Sequence, residues 1–302
     1  MTMQSAEQDT EVFLSHRALL FTVAYELLGS AADAEDVVQE TWLRWSAVDH
    51  ESIHNARAYL VQIASRQALN RLRTIARRRE SYLGSWLPEP LVTEPDLAKD
   101  VELAESVSMA MLVVLETLSP VERTVFVLRE VFDVDYDQIA ATIERSPATT
   151  RQIARRARLH VEARKPRQAV NADETAAALA SFQSALESGD LRRVVDVFTA
   201  DAVLVGDGGG IKPAVLRPIT GAERVARFFI GVMQKNNGAI SGTLMTVNGQ
   251  PALVVRINGE TDGVITLRLE GDRIGAMYYV RNPEKLPRLE TPATLSRHQA
   301  TP

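Results

Sequence analysis

The chain contains no cysteine, which excludes disulfides, a thiol nucleophile, an iron–sulfur cluster, a cysteine zinc site and a thiol redox switch. Histidine is scarce too: the five present show no metal-ligand spacing, so neither a metal nor another cofactor is expected. No apolar run approaches the roughly 20 residues of a spanning helix. The amino terminus, MTMQSAEQDTEV, lacks the basic start and apolar stretch of an export signal, so a cytoplasmic protein without a membrane partner is expected. What is present is an ordinary globular mixture, 45% hydrophobic and 24% charged, over 302 residues, enough for two or three domains.

The formal net charge of −5 argues weakly against a nucleic-acid partner, but the charge is segregated. Residues 1–170 hold 20 Lys and Arg against 25 Asp and Glu, whereas residues 171–302 hold 14 of each. Within the first part, Arg57 to Glu80 carries seven arginines and one acid, and Arg145 to Arg167 carries eight basic residues and one acid. These two basic stretches are the places to look for phosphate contacts.

Glycine and proline are rare inside the first 165 residues, where apolar residues recur at helical spacing and strand patterns are absent. Helices are expected over Glu11 to Leu28, Asp33 to Val48 and Arg57 to Arg79, the last with a break near Ser65. The segment YLGSWLPEPLVTEPD, from Tyr82 to Asp96, must be a linker or loop. Helices resume over Leu97 to Leu118 and restart at Ser119-Pro120, an N-cap and first-turn pair with Glu122 at the capping-box position. Two more follow, Tyr136 to Ile143 and Pro147 to Arg164.

From Asn171 the texture changes. Helices are expected over Ala172 to Glu187, Leu191 to Phe198 and Gly221 to Gln234. Strands are expected over Ile240 to Val247, Ala252 to Ile257, Gly263 to Leu269 and Arg273 to Val280, separated by Asn-Gly and Gly-Asp turn signals. The tail from Pro287 is polar and proline-rich, and disorder is expected there.

Residues Tyr136 to Arg158, YDQIAATIERSPATTRQIARRAR, have the helix-turn-helix layout, with Thr150, Ile153, Ala157 and Val161 turned inward and a basic outer face. Arginine can grip guanine bidentately, and glutamine can pair with adenine. With Leu118-Ser119-Pro120, Glu122-Arg123 and Val127-Leu128-Arg129 before it, this stretch resembles region four of an extracytoplasmic-function sigma factor. The resemblance implies recognition of the minus-thirty-five promoter element, with Arg151, Gln152 and Arg155 facing bases, Arg156 facing phosphate and Arg158 beside them. Glu144 stands where the family often has glycine in the turn.

Asp33 to Arg44, DAEDVVQETWLR, resembles region two of the same family, whose helix docks on the clamp helices of RNA polymerase. Val37, Val38, Thr41 and Trp42, with Leu43, are the expected apolar contacts, and Asp36, Gln39 and Glu40 the polar ones. Tyr59 to Arg73 resembles the stretch that captures the minus-ten element. Tyr59, Arg66, Gln67 and Asn70 are the candidates for an extruded base, and Arg71, Arg73, Arg77, Arg78 and Arg79 for phosphates.

Three further motifs, WLPEPL at 86–91, DGGGIK at 207–212 and NPEKL at 282–286, resemble hallmarks of the sigma J-like subgroup with a SnoaL-like extension. The implied architecture is multidomain. Two all-α sigma domains, a region-two bundle at 1–80 and a region-four helix-turn-helix at 106–167, flank a linker at 81–105. An α+β cone-shaped SnoaL-like domain at 172–286 and a tail at 287–302 follow. The resemblance implies that the three motifs meet: Trp86, Leu87, Pro88, Glu89, Pro90 and Leu91 dock near Asp207, Gly208, Gly209, Gly210, Asn282 and Pro283, with Lys212 available to Glu89. Core RNA polymerase, through its clamp helices and flap, and promoter DNA are the implied partners. A small ligand or protein at the carboxyl-terminal domain is a further candidate, and stress response is the implied setting. The extension offers no base and acid pair for isomerase chemistry, so no enzyme is expected. The alternatives are a DNA-binding regulator fused to a small-molecule-binding or isomerase-like domain, and a repressor acting without polymerase.

Overall fold

The computed structural model describes residues 3–50, 53–79, 82–94, 97, 100–165, 171–236 and 239–298. The chain divides into two compact units, Met1–Glu80 with Val114–Arg164 and Thr294–Pro302, and Ser81–Val113 with Lys165–Ala293.

The first unit opens with α1 (Met3–Leu28), α2 (Ala31–Trp45) and α3 (Ala56–Arg79). Leu20, Ala24, Leu27 and Leu28 of α1 are fully buried, and Ser30 caps α2 by accepting from the Asp33 amide at 3.3 Å. The break expected near Ser65 does not occur. Ser65 is buried in the same stripe as Leu60, Ala64, Ala68 and Leu69, and burial of that continuous face keeps α3 whole.

The helical stretch expected over 97–118 contains two short helices, α4 (Val101–Ser106) and α5 (Met109–Leu115). The side chains of Ser106 and Ser108 bond nearby main-chain groups, Ser106 donating to the Leu103 carbonyl and Ser108 accepting from the Met111 amide, and so interrupt the ladder. α4 and the start of α5 belong to the second unit. In the first unit follow α6 (Pro120–Phe126), with the capping box of Ser119 and Glu122, a π-helical turn at Val127–Val131, α7 (Tyr136–Ile143) and α8 (Pro147–Glu162).

α6 is fixed to α1 by Arg123, the largest fully buried side chain described. Its Nε and Nη2 donate to the Glu26 carbonyl at 3.0 and 2.8 Å, and Nη1 pairs with Glu116 at 2.6 Å. A guanidinium on a last-turn carbonyl also complements the helix dipole of α1. Burial pulls its pKa down to about 10, against the raising charge of Glu26.

In the second unit, α9 (Ala172–Ser188), α10 (Leu191–Asp196) and α11 (Ala222–Lys235) pack on one six-stranded sheet of order β2-β1-β6-β5-β4-β3. The strands are β1 (Phe198–Asp207), β2 (Ile219–Thr220), β3 (Ile240–Val247), β4 (Gln250–Ile257), β5 (Glu260–Glu270) and β6 (Arg273–Val280). Phe198, predicted to end a helix, starts β1 instead, and β1 runs parallel to β6.

Alternation along β6 serves two cores. Met277 and Tyr279 join Phe182, Phe198, Val225 and Phe229 under the helices. Ala276, Tyr278 and Val280 face Leu87, Met109 and Ala110. Residues 287–298 of the tail are placed, contrary to the disorder expected there, and residues 299–302 lie outside the described residues. Leu289 packs with Val92, Val247 and Val264, the Ala293 amide donates to the Val92 carbonyl at 2.7 Å, and within the first unit the Ser296 amide donates to Thr22 Oγ1 at 2.9 Å. Leucines and main-chain bonds outweigh the polar composition.

Candidate nucleic-acid and polymerase interface

α8 buries Thr150, Ile153, Ala157 and Val161 and exposes Arg151, Gln152, Arg155, Arg156 and Arg158, as its periodicity predicts. Ser146 caps its start by accepting from the Thr149 amide at 3.2 Å, ahead of Pro147. The turn before it resolves the Glu144 question: this residue takes the left-handed conformation, φ 58° and ψ 51°, that glycine would adopt more freely. Arg151 lies over the Tyr136 ring, 5.5 Å from its centroid. Arg158 is turned aside, bidentate on Glu130 at 2.7 and 3.2 Å, which raises its pKa.

On α2, Asp36, Gln39, Glu40 and Leu43 are exposed, Leu43 at 65%. Val37, Val38 and Thr41, expected to offer apolar contacts to a partner, are instead buried in the unit's own core, because they share the stripe of Ala34 and Trp45. Trp42 packs on Phe13, with ring centroids 5.0 Å apart. The apolar element left at the surface is Leu43 with the open part of Trp42.

α3 brings its basic residues against acids of the same unit. Arg71 bonds Asp33 at 2.6 Å, pairs with Asp36 and reaches Glu40 at 3.7 Å. Partial burial would lower its pKa, but Asp33 and Asp36 raise it on balance. Two of the acids expected to meet polymerase are thus joined to an arginine expected to meet phosphate. Arg66 pairs with Glu144 of the helix-turn-helix turn. Gln67 turns its carboxamide to Arg44, while Asn70 and Arg73 are exposed, with a contact of 3.3 Å between them. Tyr59 is half-buried, 6.1 Å from Trp45 by ring centroids, and lines an open cleft with Ile53, His54, Ala58 and Gln62. Arg77 is exposed, and the side chains of Arg78 and Arg79 lie outside the described residues.

In the second unit the three short motifs meet around Asp207. Its Oδ1 accepts from Tyr82 Oη at 2.5 Å and the Gly209 amide at 3.0 Å, and its Oδ2 from the Leu87 amide at 2.9 Å and Lys285 Nζ at 2.7 Å. Lys285 also donates to the Leu87 carbonyl at 2.6 Å and sits 3.2 Å from the Trp86 ring centroid. Asn282 donates to Tyr82 Oη at 3.0 Å and caps the short helical turn that Pro283 begins. Burial, reinforced by Asp207, pushes the Tyr82 phenol up. Gly209 has φ 66°, and a Cβ there would overlap the Asn282 carboxamide; one on Gly208 would meet Ala214 Cβ at 2.7 Å. Gly210, at φ 73°, faces Leu83. Leu87, Pro88, Glu89, Pro90 and Leu91 are all buried.

Two features depart from expectation. Lys212 reaches Asp262 at 3.4 Å, not Glu89; among the described residues it is Lys285 that holds Leu87 of the linker. Asn248 was not singled out, yet it accepts from the Leu91 amide at 3.1 Å, donates its own amide to the Leu91 carbonyl at 2.7 Å and donates its side chain to the Val107 carbonyl at 3.0 Å. It holds φ 53° at an Asn-Gly turn; the turn was read, the anchor was not.

Residues 12–79 match the Sigma-70 region 2 family and residues 108–161 match Sigma-70, region 4. The chain belongs to the ECF RNA polymerase sigma factors, non-enzymatic proteins that direct promoter-specific transcription initiation. It is 35% identical to ECF RNA polymerase sigma factor SigJ of Mycobacterium tuberculosis, over 96% of each chain. The crystal structure of that SigJ superposes with a TM-score of 0.73 at 32% identity, covering 91% of this chain and 97% of the other. A second relative, a probable ECF sigma factor SigI of the same species, is 31% identical over 90% of this chain and 92% of its own. Among the described residues, no helix is long and apolar enough to cross a membrane.

Proposed function

We propose that this sigma factor is controlled in cis by its carboxyl-terminal domain, through the grip of that domain on the WLPEPL segment. The observation that carries the reading is the buried Lys285–Asp207 pair closing on both main-chain groups of Leu87. Such an extended, proline-stiffened segment docks at low ordering cost. It also lies between the two sigma regions in sequence, so its docked state constrains how far they can separate.

In this reading Arg151, Gln152 and Arg155 read the minus-thirty-five element and Arg156 grips phosphate. Tyr59, Arg66, Gln67, Asn70 and Arg73 serve the minus-ten element. Leu43, Trp42, Asp36, Gln39 and Glu40 meet the polymerase clamp helices, and region four meets the flap, in the cytoplasm. The pairings Arg66–Glu144 and Arg71–Asp36 support a closed form whose functional side chains satisfy one another until polymerase and DNA replace them.

The test is transcription of a defined promoter by core polymerase supplemented with the full chain, with Lys285→Met, or with a truncation after residue 171. The reading expects a change in output at equal protein levels for both altered forms. Unchanged output in both would overturn it.

A further inference from the structure

Under the helices of the second unit lies a cavity of about 80 Å³ that opens to solvent at its mouth. Phe182 of α9 and Phe229 of α11 wall it, ring centroids 5.0 Å apart, and Leu253, Val255, Ile265 and Tyr279 of the sheet form its floor. All six are buried. At the mouth, Val232 and Met233 face Gly242, which carries no side chain to close it; a Cβ there would meet Leu253 Cδ1 at 2.7 Å and Gln183 Nε2 at 2.8 Å.

The polar groups near the floor are committed elsewhere. Tyr279 Oη donates to Asp262 Oδ2 at 2.6 Å, and Gln183 donates to the Gly242 carbonyl at 3.3 Å. Burial and Asp262 hold the Tyr279 phenol protonated. A polar ligand group buried on this floor would lose its water for little return. An anion would also meet Glu187, the exposed carboxylate lining the rim. The cavity, about 80 Å³, is about half the size of an engineered apolar cavity of about 150 Å³ that accepts benzene, so a ring would seat in it partly and leave its remainder in the open mouth.

We infer that this cavity is a binding site for a small uncharged apolar molecule bearing one ring, and that its occupancy is transmitted to the linker grip through β6. Tyr279 faces the cavity while its neighbours Tyr278 and Val280 pack with Leu87 on the other face of the sheet. Asp262, which holds Tyr279, is also held by the Arg281 guanidinium at 2.8 Å on each oxygen. The Arg281 amide donates to the Asp207 carbonyl at 2.7 Å, and Asn282 and Lys285 follow directly. One strand edge thus connects a ring seated on Tyr279 to both halves of the Asp207–Lys285 pair. A molecule that favours one setting of Tyr279 shifts the grip by its difference in affinity for the two settings. The transmission rests on the regulatory reading above; the binding site does not.

Toluene is the probe, titrated into the full chain and followed by methyl NMR. Saturable shifts of the Leu253, Val255 and Ile265 methyls are expected, with Leu87 methyl shifts of the same midpoint. Val232→Trp at the mouth should weaken binding at least tenfold, with Met233→Trp as the second blocking variant should the first unfold. Benzoate should bind at least tenfold more weakly than toluene. Absence of saturation up to the solubility of toluene, equal binding by benzoate, or full binding to both folded blocking variants would overturn the site. Saturation at the floor with the Leu87 methyls unmoved would overturn the transmission. Failure of the regulatory reading itself shows separately, as unchanged transcription by both Lys285→Met and the truncation after residue 171 while toluene still binds to the full chain.

Discussion

Lys285 Nζ and Asp207 Oδ2 lie 2.7 Å apart with both side chains almost wholly out of water, and the Trp86 ring closes over the cation. Removing one partner of such a pair leaves the other charge buried and unpaired, at a typical cost of about 3 to 5 kcal/mol. Lys285→Met and Asp207→Asn should each lower stability in urea unfolding by that order. The double variant should lose less than the sum of the two. A strictly additive double variant would show that the pair is not coupled.

Arg151 and Arg155 stand exposed on the outer face of α8. Arg151→Ala or Arg155→Ala should each remove about 1 to 3 kcal/mol of discrimination between the right and wrong base at one promoter position. Arg156→Ala should weaken binding to all sequences and reduce the salt slope by about one. Competition binding of holoenzyme to promoter variants at several salt concentrations separates the two behaviours.

Reversing Asp36 and Glu40 to lysine should weaken binding to core polymerase. The same change releases Arg71, which both acids approach. A core-binding titration beside Arg71→Ala distinguishes the causes: the acid reversal weakens binding, whereas loss of Arg71 frees the acids and leaves core affinity equal or greater. Full affinity after reversal would remove α2 from the docking surface.

Asp262 gives an acid limb to the stability of the second unit. Burial raises its pKa, but the bonds from Arg281 and Tyr279 and the charges of Arg281 and Lys212 prevail and hold it below 3.8. The folded value lies under the unfolded one, so this stabilisation is complete above about pH 4 to 5 and is lost as pH falls through the depressed value. Asp262→Asn should flatten the dependence of unfolding free energy on pH in that window while lowering stability at neutral pH. An unchanged slope would show that Asp262 is not the group responsible.

Glu144 occupies left-handed space at a cost of roughly 1 to 2 kcal/mol for a side chain with a Cβ. Glu144→Gly relieves that strain but forfeits the exposed pair with Arg66, which contributes little. A small net gain in thermal stability is expected, together with easier release of Arg66. A clear loss would show that the pair outweighs the strain.

The sequence made the helix-turn-helix legible because its ends are written locally: Ser146-Pro147 starts one helix and the inward stripe from Thr150 to Val161 fixes its face. β3 to β6 were legible for the same reason, through Asn248-Gly249, Asn258-Gly259 and Gly271-Asp272. β1 was not, because its main partner is the parallel β6, more than sixty residues further on, and its first half carries the exposed pair Ala200 and Asp201. Lys285 lies within NPEKL, but reach along the chain does not tell whether its ammonium or that of Lys212 faces the end of β1. Val37 and Val38 were misassigned because an apolar stripe looks alike whether it meets its own core or a partner.

Arg123 sets how α6 can leave α1. Its guanidinium has two donors on the Glu26 carbonyl and a third on Glu116, with 1% of the side chain exposed. Partial displacement would break those bonds before water could replace them, the least favourable point on the path. Intermediate separations would therefore be sparsely occupied. Contact between these helices would then open as a latch does, in one step, so a regulator would act on how often it springs open and not on how wide it stands.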